Sequence, residues 1–378
     1  LVAEYQRQVG DPERYLDALV DLATFLGNLG RFPAALTAAE EAVRLAERQG
    51  NRVKRAEALQ HAALIHLRVA DWDAARAAYD ESQALAREHG LSEANVLLGR
   101  GTLAQLAGDY AAAEALDLAA LAQHEALGDR SGAARVHNNL GRLYNDMGRY
   151  GEAMASLRQA LAAARDTGRR DVELFALNNM GEVELRKGNL ASAALLLERS
   201  LELKRGAGNA YSLAFTLLGL AELALARDDL DAAERAAAEA RLRLAGLGAA
   251  DVEAWADRLD AERLLAAGEP RAAGAALERA LRSLAALGAR RELACALDVA
   301  ARLAQAEGRR AEAAWLDQAA GSLREAIGAP RTAHELAARA RLARGGAPDT
   351  APPLARDAPR PDALADEAVA RALVVAAG

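Results

Sequence analysis

Glycine and other small residues divide the chain into units of about 40 residues, each with two stretches of mostly apolar, helix-forming sequence. One glycine series runs at steps of 40, with a single step of 38: Gly50, Gly90, Gly128, Gly168, Gly208, Gly248, Gly288 and Gly328. A second series lies 20 residues before each of these: Gly30, Ala70, Gly108, Gly148, Gly188, Asp228, Gly268 and Gly308. Self-similarity at a fixed period is typical of repeat proteins.

Small residues also keep a fixed place within every unit. Alanine stands five residues after the second series each time, at Ala35, Ala75, Ala113, Ala153, Ala193, Ala233, Ala273 and Ala313. Twelve residues after that series the residue is Ala42, Ser82, Ala120, Ala160, Ser200, Ala240, Ala280 or Ala320. We interpret each unit as two helices, A and B, joined by tight turns. Gly or Asp tolerates the positive φ of a turn, and the small residues of helix B let helix A approach closely.

Larger residues occupy one further place, two positions after the first turn. They are Phe32, Trp72, Tyr110, Tyr150, Leu190 and Leu230, and we expect them to fill the interfaces between adjacent repeats. About eight helix pairs in one register predict an all-α fold, an α-solenoid in which each repeat stacks on its neighbours.

Composition supports this prediction and excludes several classes of protein. Alanine-rich sequence with 4% aromatic residues favours helices over strands, because strands favour aromatic and β-branched residues. The formal net charge of −7 argues against direct nucleic-acid binding. The sequence has no apolar run long enough to predict a membrane segment. The lone Cys295 excludes an intrachain disulfide, and we expect a cytoplasmic location.

Motifs for catalysis or cofactor binding are missing from the sequence. It has no Gly-x-x-x-x-Gly-Lys-[Ser/Thr] phosphate loop, its six histidines lack metal-ligand spacing, and no nucleophile stands beside a base. We therefore expect no enzyme activity, no metal and no cofactor.

The repeat pattern resembles the tetratricopeptide repeat family in a variety with longer helices. The resemblance is carried by the turn glycines, the two small residues of helix B, and small residues in helix A at Gly101, Gly141 and Gly181. It implies a right-handed superhelix with a concave groove lined by the A helices. In that family, Asn on helix A commonly bonds a bound peptide, and Arg binds carboxylates.

Five segments follow from these patterns. We assign residues 1–10 to the end of a preceding helix, 11–328 to eight repeats, 329–344 to a capping helix, 345–361 to a Gly/Pro-rich linker and 362–378 to a short C-terminal helix. Asp11-Pro12-Glu13 is a helix-start signal, and Asp362 is the expected N-cap of the last helix. We expect the apolar side of that helix to cover the open end of the solenoid, and the alternative is a flexible terminus.

Repeats four and five carry unusual asparagine pairs at equal places in their A helices, where Asn is a mediocre helix former. We predict that the ligand-binding groove includes Arg135, Asn138, Asn139, Arg142, Asn145, Phe175, Asn178, Asn179, Glu182 and Trp255. Two alternatives remain open. One Asn of each pair could bond between neighbouring A helices and stiffen the stack, and Trp255 could be a packing residue.

The segment from Ala313 to Pro330 is similar to the last repeat of the helical sensor region in large bacterial regulators. These are STAND-class signal-transduction ATPases with LuxR-type or SARP-type DNA-binding domains. The similarity implies a non-catalytic module that binds a protein, a peptide or a small-molecule inducer and contacts an upstream ATPase or effector domain. The alternative is a free-standing adaptor that assembles partner proteins.

Overall fold

The computed structural model describes residues 12–206, 208–344 and 361–377, and within them it contains only helices and turns, which confirms the all-α prediction. The A helices are α1 (Pro12–Asn28), α3 (Arg52–Arg68), α5 (Ala94–Leu106), α7 (Arg130–Asp146), α9 (Arg170–Arg186), α11 (Ala210–Ala226), α13 (Ala250–Ala266) and α15 (Arg290–Ala306). The B helices are α2 (Phe32–Arg48), α4 (Trp72–Glu88), α6 (Tyr110–Ala126), α8 (Tyr150–Thr167), α10 (Leu190–Arg205), α12 (Leu230–Leu244), α14 (Pro270–Leu287) and α16 (Arg310–Ile327). Helices α17 (Ala333–Arg344) and α18 (Pro361–Ala376) follow.

The turns lie where the small-residue series predict them. All sixteen positions of the two series have positive φ, including Ala70 at 58° and Asp228 at 57°. After helix α2 the Gly50 N–H donates to the Glu47 carbonyl at 3.0 Å, and the Asn51 N–H donates to the Ala46 carbonyl at 2.9 Å. These bonds satisfy carbonyls that the helix end leaves open, and they require the left-handed conformation that glycine adopts most easily.

Close packing within each repeat explains the fixed small residues. The eight alanines that stand five residues after the first turn are at most 2% exposed. The eight Ala or Ser residues that stand twelve residues after that turn are fully buried. Ser82 Oγ donates to the Ala56 carbonyl at 2.8 Å, so the buried hydroxyl is satisfied by the partner helix. A Cβ at Gly181 would lie 2.8 Å from Leu197 Cγ. A larger residue there would push helix B away from helix A.

The A helices form the inner layer of the solenoid. Consecutive A helices contact each other directly, whereas consecutive B helices stay further apart. Stacked helix pairs with this asymmetry curve around their A side. The concave face is therefore built from A helices, as the resemblance to tetratricopeptide repeats implies.

The curvature is strong enough to bring successive superhelical turns into contact. Asn209 Nδ2 donates to the Asn28 carbonyl, 181 residues away in sequence. The Phe32 ring meets the Tyr211 ring edge-on at a centroid distance of 5.3 Å. Four more contacts continue along the same edge: Gly248 against Val69, Gly108 against Ile327, Gly148 against Pro330 and Gly188 against Ala333. We call this line of contacts the seam.

The ends of the solenoid differ in part from the sequence prediction. Helix α1 begins at Pro12, while Asp11, residues 1–10 and residues 345–360 lie outside the described residues. Helix α18 begins at Pro361, so Asp362 lies inside the helix and the prediction that it is the N-cap is wrong. Proline suits a first helical position because its missing N–H would have no intrahelical partner there.

Helix α18 packs on helices α14, α15 and α16. Its side chains Leu364, Ala368, Ala372 and Val375 are buried in the same apolar cluster as Leu297 and Leu316, with Val369 and Leu373 partly buried against it. The apolar side predicted from the sequence therefore covers the last two repeats.

Candidate ligand-binding groove

The predicted site residues lie on the A-helix layer, on α7, α9 and α13. Positions 40 residues apart are equivalent in consecutive repeats. Arg142, Glu182, Glu222, Glu262 and Arg302 therefore form one row along this layer. Arg135, Phe175, Phe215, Trp255 and Cys295 form a second row, two helical turns nearer the helix N-termini.

The four asparagines bond between neighbouring A helices. Asn139 Nδ2 donates to Thr102 Oγ1 of α5 at 3.0 Å, and Asn179 Nδ2 donates to Asn138 Oδ1 at 3.0 Å. Thr216 Oγ1 of α11 donates to Asn178 Oδ1 at 2.7 Å. These are the bonds that the stacking alternative requires, and they span four consecutive A helices. Asn178 and Asn179 are almost completely buried, whereas Asn138 and Asn139 are half-buried.

We call these hydrogen bonds between asparagine and threonine side chains the asparagine ladder. A buried lysine that the sequence analysis missed extends it. Lys204 of α10 is 1% exposed, its Nζ donates to Thr216 Oγ1 at 2.7 Å, and it lies 4.9 Å from the centre of the Phe175 ring. Asn178 Nδ2 donates to Glu182 Oε1 at 2.7 Å. Burial lowers the pKa of Lys204 to about 7 and raises the pKa of Glu182 to about 7. The sequence offered one signal for Lys204, because lysine is rare in this chain, which has three.

An aromatic row runs along repeats five to seven. The rings of Phe215 and Trp255 meet edge-on with centroids 5.1 Å apart, and Phe175 occupies the equivalent place one repeat earlier. All three rings are partly exposed. The sequence prediction named Phe175 and Trp255 but missed Phe215, which the 40-residue spacing between them would have found.

Helix α7 carries polar atoms that are buried without a hydrogen-bond partner among the described residues. They are Nε of Arg135, Nε of Arg142, and both side-chain atoms of Asn145, which is 2% exposed. Arg135 also donates from Nη2 to Asn95. Burial raises the pKa of Asp251 on α13 to about 6, and the nearby Arg68 and Arg142 oppose that rise. The A-helix layer at α7 is therefore polar, and some of its hydrogen-bonding groups have no partner among the described residues.

The later repeats carry ion pairs in the same layer. Arg258 lies 3.4 Å from Glu292, 3.5 Å from Glu262 and 3.7 Å from Glu222. These contacts connect α11, α13 and α15. Because each charge has a partner, this part of the layer is better suited to joining repeats than to binding a ligand.

A concavity of about 330 Å³ opens between helices α8 and α10. Its lining includes three arginines and the apolar side chains of Leu174, Leu177 and Leu203. Arg165 Nε is 2.9 Å from Glu173 Oε1, and Arg199 pairs with Glu202. Two of its three arginines therefore already bind carboxylates of the chain.

Among residues 12–206, 208–344 and 361–377, no group of three His, Cys, Asp or Glu side chains is placed to hold a metal ion. None of the helices in the same ranges is long and apolar enough to cross a bilayer.

The fold and the A-helix layer define a class of protein, the α-solenoid built from helix–turn–helix repeats. Two models described as tetratricopeptide repeat match the chain, over residues 92–166 and 16–48. A third, described as anaphase-promoting complex subunit 5, matches residues 52–97. No curated protein matches the chain. The two repeat matches support the tetratricopeptide family that the sequence pattern resembles, and they cover repeats one, three and four.

Proposed function

We propose that this chain is a non-catalytic binding module that holds a protein or peptide in the groove of repeats four to seven. One observation carries the proposal: Arg135, Arg142 and Asn145 have buried polar atoms without a partner among the described residues. Leaving such a group unsatisfied costs about 1–3 kcal/mol, so a ligand that supplies the missing bonds would bind favourably here. Tetratricopeptide repeats generally bind protein partners, which agrees with this role.

The chemistry of the groove indicates the kind of peptide. Arg135 and Arg142 favour an acidic side chain or a terminal carboxylate, because guanidinium groups bind carboxylates in a fixed geometry. The Asn145 amide can donate to and accept from the backbone of an extended peptide. Phe215 and Trp255 offer an apolar contact two to three repeats further on. We infer an extended peptide with an acidic end and an apolar side chain.

A peptide selection tests this role. Peptides selected from a random library on the wild-type chain would be titrated against Arg142→Ala by fluorescence anisotropy. We expect at least tenfold weaker binding, because a charged hydrogen bond contributes about 1.5–3 kcal/mol. The matched control is Arg158→Ala on α8, where the arginine is exposed on a B helix. Equal affinity of wild type and Arg142→Ala, or recovery of no peptide, would contradict the proposal.

The asparagine ladder needs its own test, because the same residues serve the two alternatives. The double variant Asn138→Ala with Asn178→Ala would be studied by circular dichroism and by peptide titration. Weaker binding at an unchanged melting temperature would favour contact with the ligand. Unchanged binding at a lower melting temperature would assign the asparagines to stacking alone.

The proposed function also includes the kind of protein to which the module belongs. We propose that the module is the sensor region of a bacterial multidomain regulator, where it binds a protein, a peptide or a small-molecule inducer and contacts an ATPase or effector domain in the cytoplasm. The similarity of residues 313–330 to such regions supports it. A free-standing adaptor remains the alternative, and the match to a subunit named for a large complex agrees with that alternative. A Walker motif or helix-turn-helix upstream in the reading frame would favour the regulator, and a start Met near Leu1 would favour the adaptor.

A further inference from the structure

Helix α17 follows the eighth repeat in the place of a ninth A helix, but it is attached through charges. Arg331 Nη2, just before the helix, lies 2.8 Å from Asp298 Oδ1 and 3.1 Å from Asp317 Oδ1. Arg339 Nε lies 2.9 Å from the same Asp317 oxygen. Both carboxylates belong to the last repeat. The two arginines therefore fasten both ends of the segment to α15 and α16.

Two further ion pairs lie between the arginines. Glu335 Oε1 is 3.0 Å from Arg324 Nη2 and accepts a hydrogen bond from Cys295 Sγ at 3.2 Å. His334 Nε2 is 3.1 Å from Glu262 Oε1 of repeat seven. Glu335 also accepts from the Thr332 N–H at 2.7 Å, which completes a capping box at the start of the helix.

The same segment reaches the first superhelical turn through the seam. A Cβ at Gly148 would overlap Pro330, and a Cβ at Gly188 would lie 3.2 Å from Ala333 Cβ. Arg341 lies 3.8 Å from Asp228 in the turn of repeat six. Residues 330–341 therefore touch the turns of repeats four, five and six, and at the same time bind repeats seven and eight.

The attachment of α17 is polar and loosely packed. Ala338 is its only buried apolar residue among the side chains described from Ala333 to Arg341, and Leu336 is 53% exposed. A cavity of about 20 Å³, large enough for one water molecule, lies between α17 and the A helices. The Nε atoms of Arg324 and Arg331 are buried without a hydrogen-bond partner among the described residues. Polar contacts of this kind can be exchanged for water at lower cost than a packed apolar core.

We propose that residues 330–341 form a releasable clasp that holds the two superhelical turns together and controls entry to the groove. When the ion pairs open, the turns of repeats four to six lose their contacts with residues 330–341, whereas Arg291 of α15 still lies 3.3 Å from Asp146 at the end of α7. The A helices behind those turns carry groove residues. The assignment of this groove as the ligand site rests on the proposed function above. The clasp itself is defined by contacts within the chain and can be tested without a ligand.

Cys295 provides the reporter for clasp release. Its thiol is 3% exposed beneath Glu335, and it is the only cysteine of the chain, so a thiol reagent marks one site. The reaction rate with a maleimide would be measured on the wild-type chain and on Arg331→Ala and Arg339→Ala, neither of which removes a Cys295 contact. We expect Arg331→Ala to react at least tenfold faster and Arg339→Ala about threefold faster. The control Arg371→Ala removes an arginine of α18 that pairs with Glu312 of α16, and it should stay within twofold of wild type.

Two results would contradict the proposal that residues 330–341 form a releasable clasp. If Cys295 reacts in every variant only at the rate of global unfolding, measured separately by circular dichroism in urea, α17 does not open on its own. An equal acceleration by Arg371→Ala would also overturn it, because α18 would then be just as releasable.

Hydrogen exchange tests the effect on the seam. In Arg331→Ala we expect faster exchange of the amide groups at 147–149 and 187–189, and unchanged exchange at 69–71, where the seam does not involve α17. Unchanged exchange at 147–149 and 187–189 despite faster labelling of Cys295 would contradict the control of entry. Neither experiment uses a peptide, so failure here is distinct from failure of the peptide titration.

Discussion

The two helices that follow the last repeat are attached by opposite kinds of contact. Helix α18 buries Leu364, Ala368, Ala372 and Val375 in the apolar cluster of the last two repeats. Helix α17 buries one apolar side chain among those described and is held by Arg331, His334, Glu335 and Arg339. Both cover repeat eight. Ion pairs carry the attachment of α17, whereas in α18 the pair between Arg371 and Glu312, at 3.8 Å, accompanies a buried apolar face.

Covering the last repeats and joining the two superhelical turns are therefore assigned to two different helices. Burial of apolar surface is not directional and depends little on pH, so α18 is suited to permanent protection of the last repeats. Charged contacts depend on geometry and on protonation, so α17 is suited to a contact that opens and closes. Solenoid stability is largely a sum of neighbour contacts, so each helix can be tested separately by hydrogen exchange.

The largest expected effect is the loss of α17 in acid. Arg324 of α16 and Arg291 of α15 overcome the burial of Glu335 and hold its pKa at about 2, below its usual 4.5. Because the folded-state pKa is depressed, this stabilisation is present above pH 4.5 and is lost as the pH falls towards 2. The loss should approach about 3 kcal/mol in the protection of α17 amides, at 1.36 kcal/mol per pKa unit. Equal loss of protection in α17 and α18 on acidification would show that ion pairs do not distinguish the attachment of α17 from that of α18.

The next effect concerns α18 alone. A side chain at Gly274 of α14 would overlap the backbone carbonyl of Ala376, so Gly274→Val should displace α18 at a cost of about 2 kcal/mol. The protection of α18 amides should fall while that of α17 stays unchanged. Gly151→Val on α8 is the control, because a Cβ there meets nothing within 4 Å. Loss of protection in α17 as well would show that the two helices are coupled.

A smaller effect is expected from the histidine of α17. The hydrogen bond to Glu262 raises the pKa of His334, burial and Arg302 oppose this rise, and Glu222 adds to it. Because the folded-state pKa is raised, the contribution is present below pH 6.5 and is lost as the pH rises through the folded-state value. His334→Gln should weaken α17 by about 1 kcal/mol at pH 6, and the difference from wild type should shrink by pH 9. A difference that is constant with pH would contradict a role for the charge.

The smallest effect is expected at Arg341. It pairs with Asp228 at 3.8 Å, and both side chains are more than half exposed. Exposed pairs contribute about 0–1 kcal/mol, so Arg341→Ala should change the protection of α17 less than about fivefold. A tenfold change would place the main attachment of the clasp at repeat six, and the arginines at 331 and 339 would then have to be reassessed.

The repeat architecture could be predicted because its signals are local. A glycine after each helix and an alanine at each close approach are requirements of a single repeat, and Gly181 and Ala35 meet them without reference to distant residues. The seam could not be predicted in this way. Tyr211 meets Phe32 only because small rotations between repeats add up over five units, and no residue pattern encodes that sum.

The site was predicted less completely, for a related reason. The asparagine pairs were visible because Asn is unusual inside a helix, but their partners Thr102 and Thr216 are ordinary residues that only stacking brings into reach. Lys204 lies on a B helix, outside the A-helix face that the repeat pattern assigns to the groove, and its side chain reaches the A-helix ladder between α9 and α11. Periodicity assigns residues to faces, whereas a long side chain can cross from one layer to the next.

The seam also constrains the order in which the protein can be completed on the ribosome. The bond between Asn28 and Asn209 joins residues 181 positions apart, and at about 5–20 residues per second the second partner is made roughly 10–35 s after the first. During that interval the first repeats can stack on one another, but Phe32 has no ring to meet. The early repeats therefore form an open arc with an apolar edge, and this edge is the part of the nascent chain on which a chaperone would be expected to act.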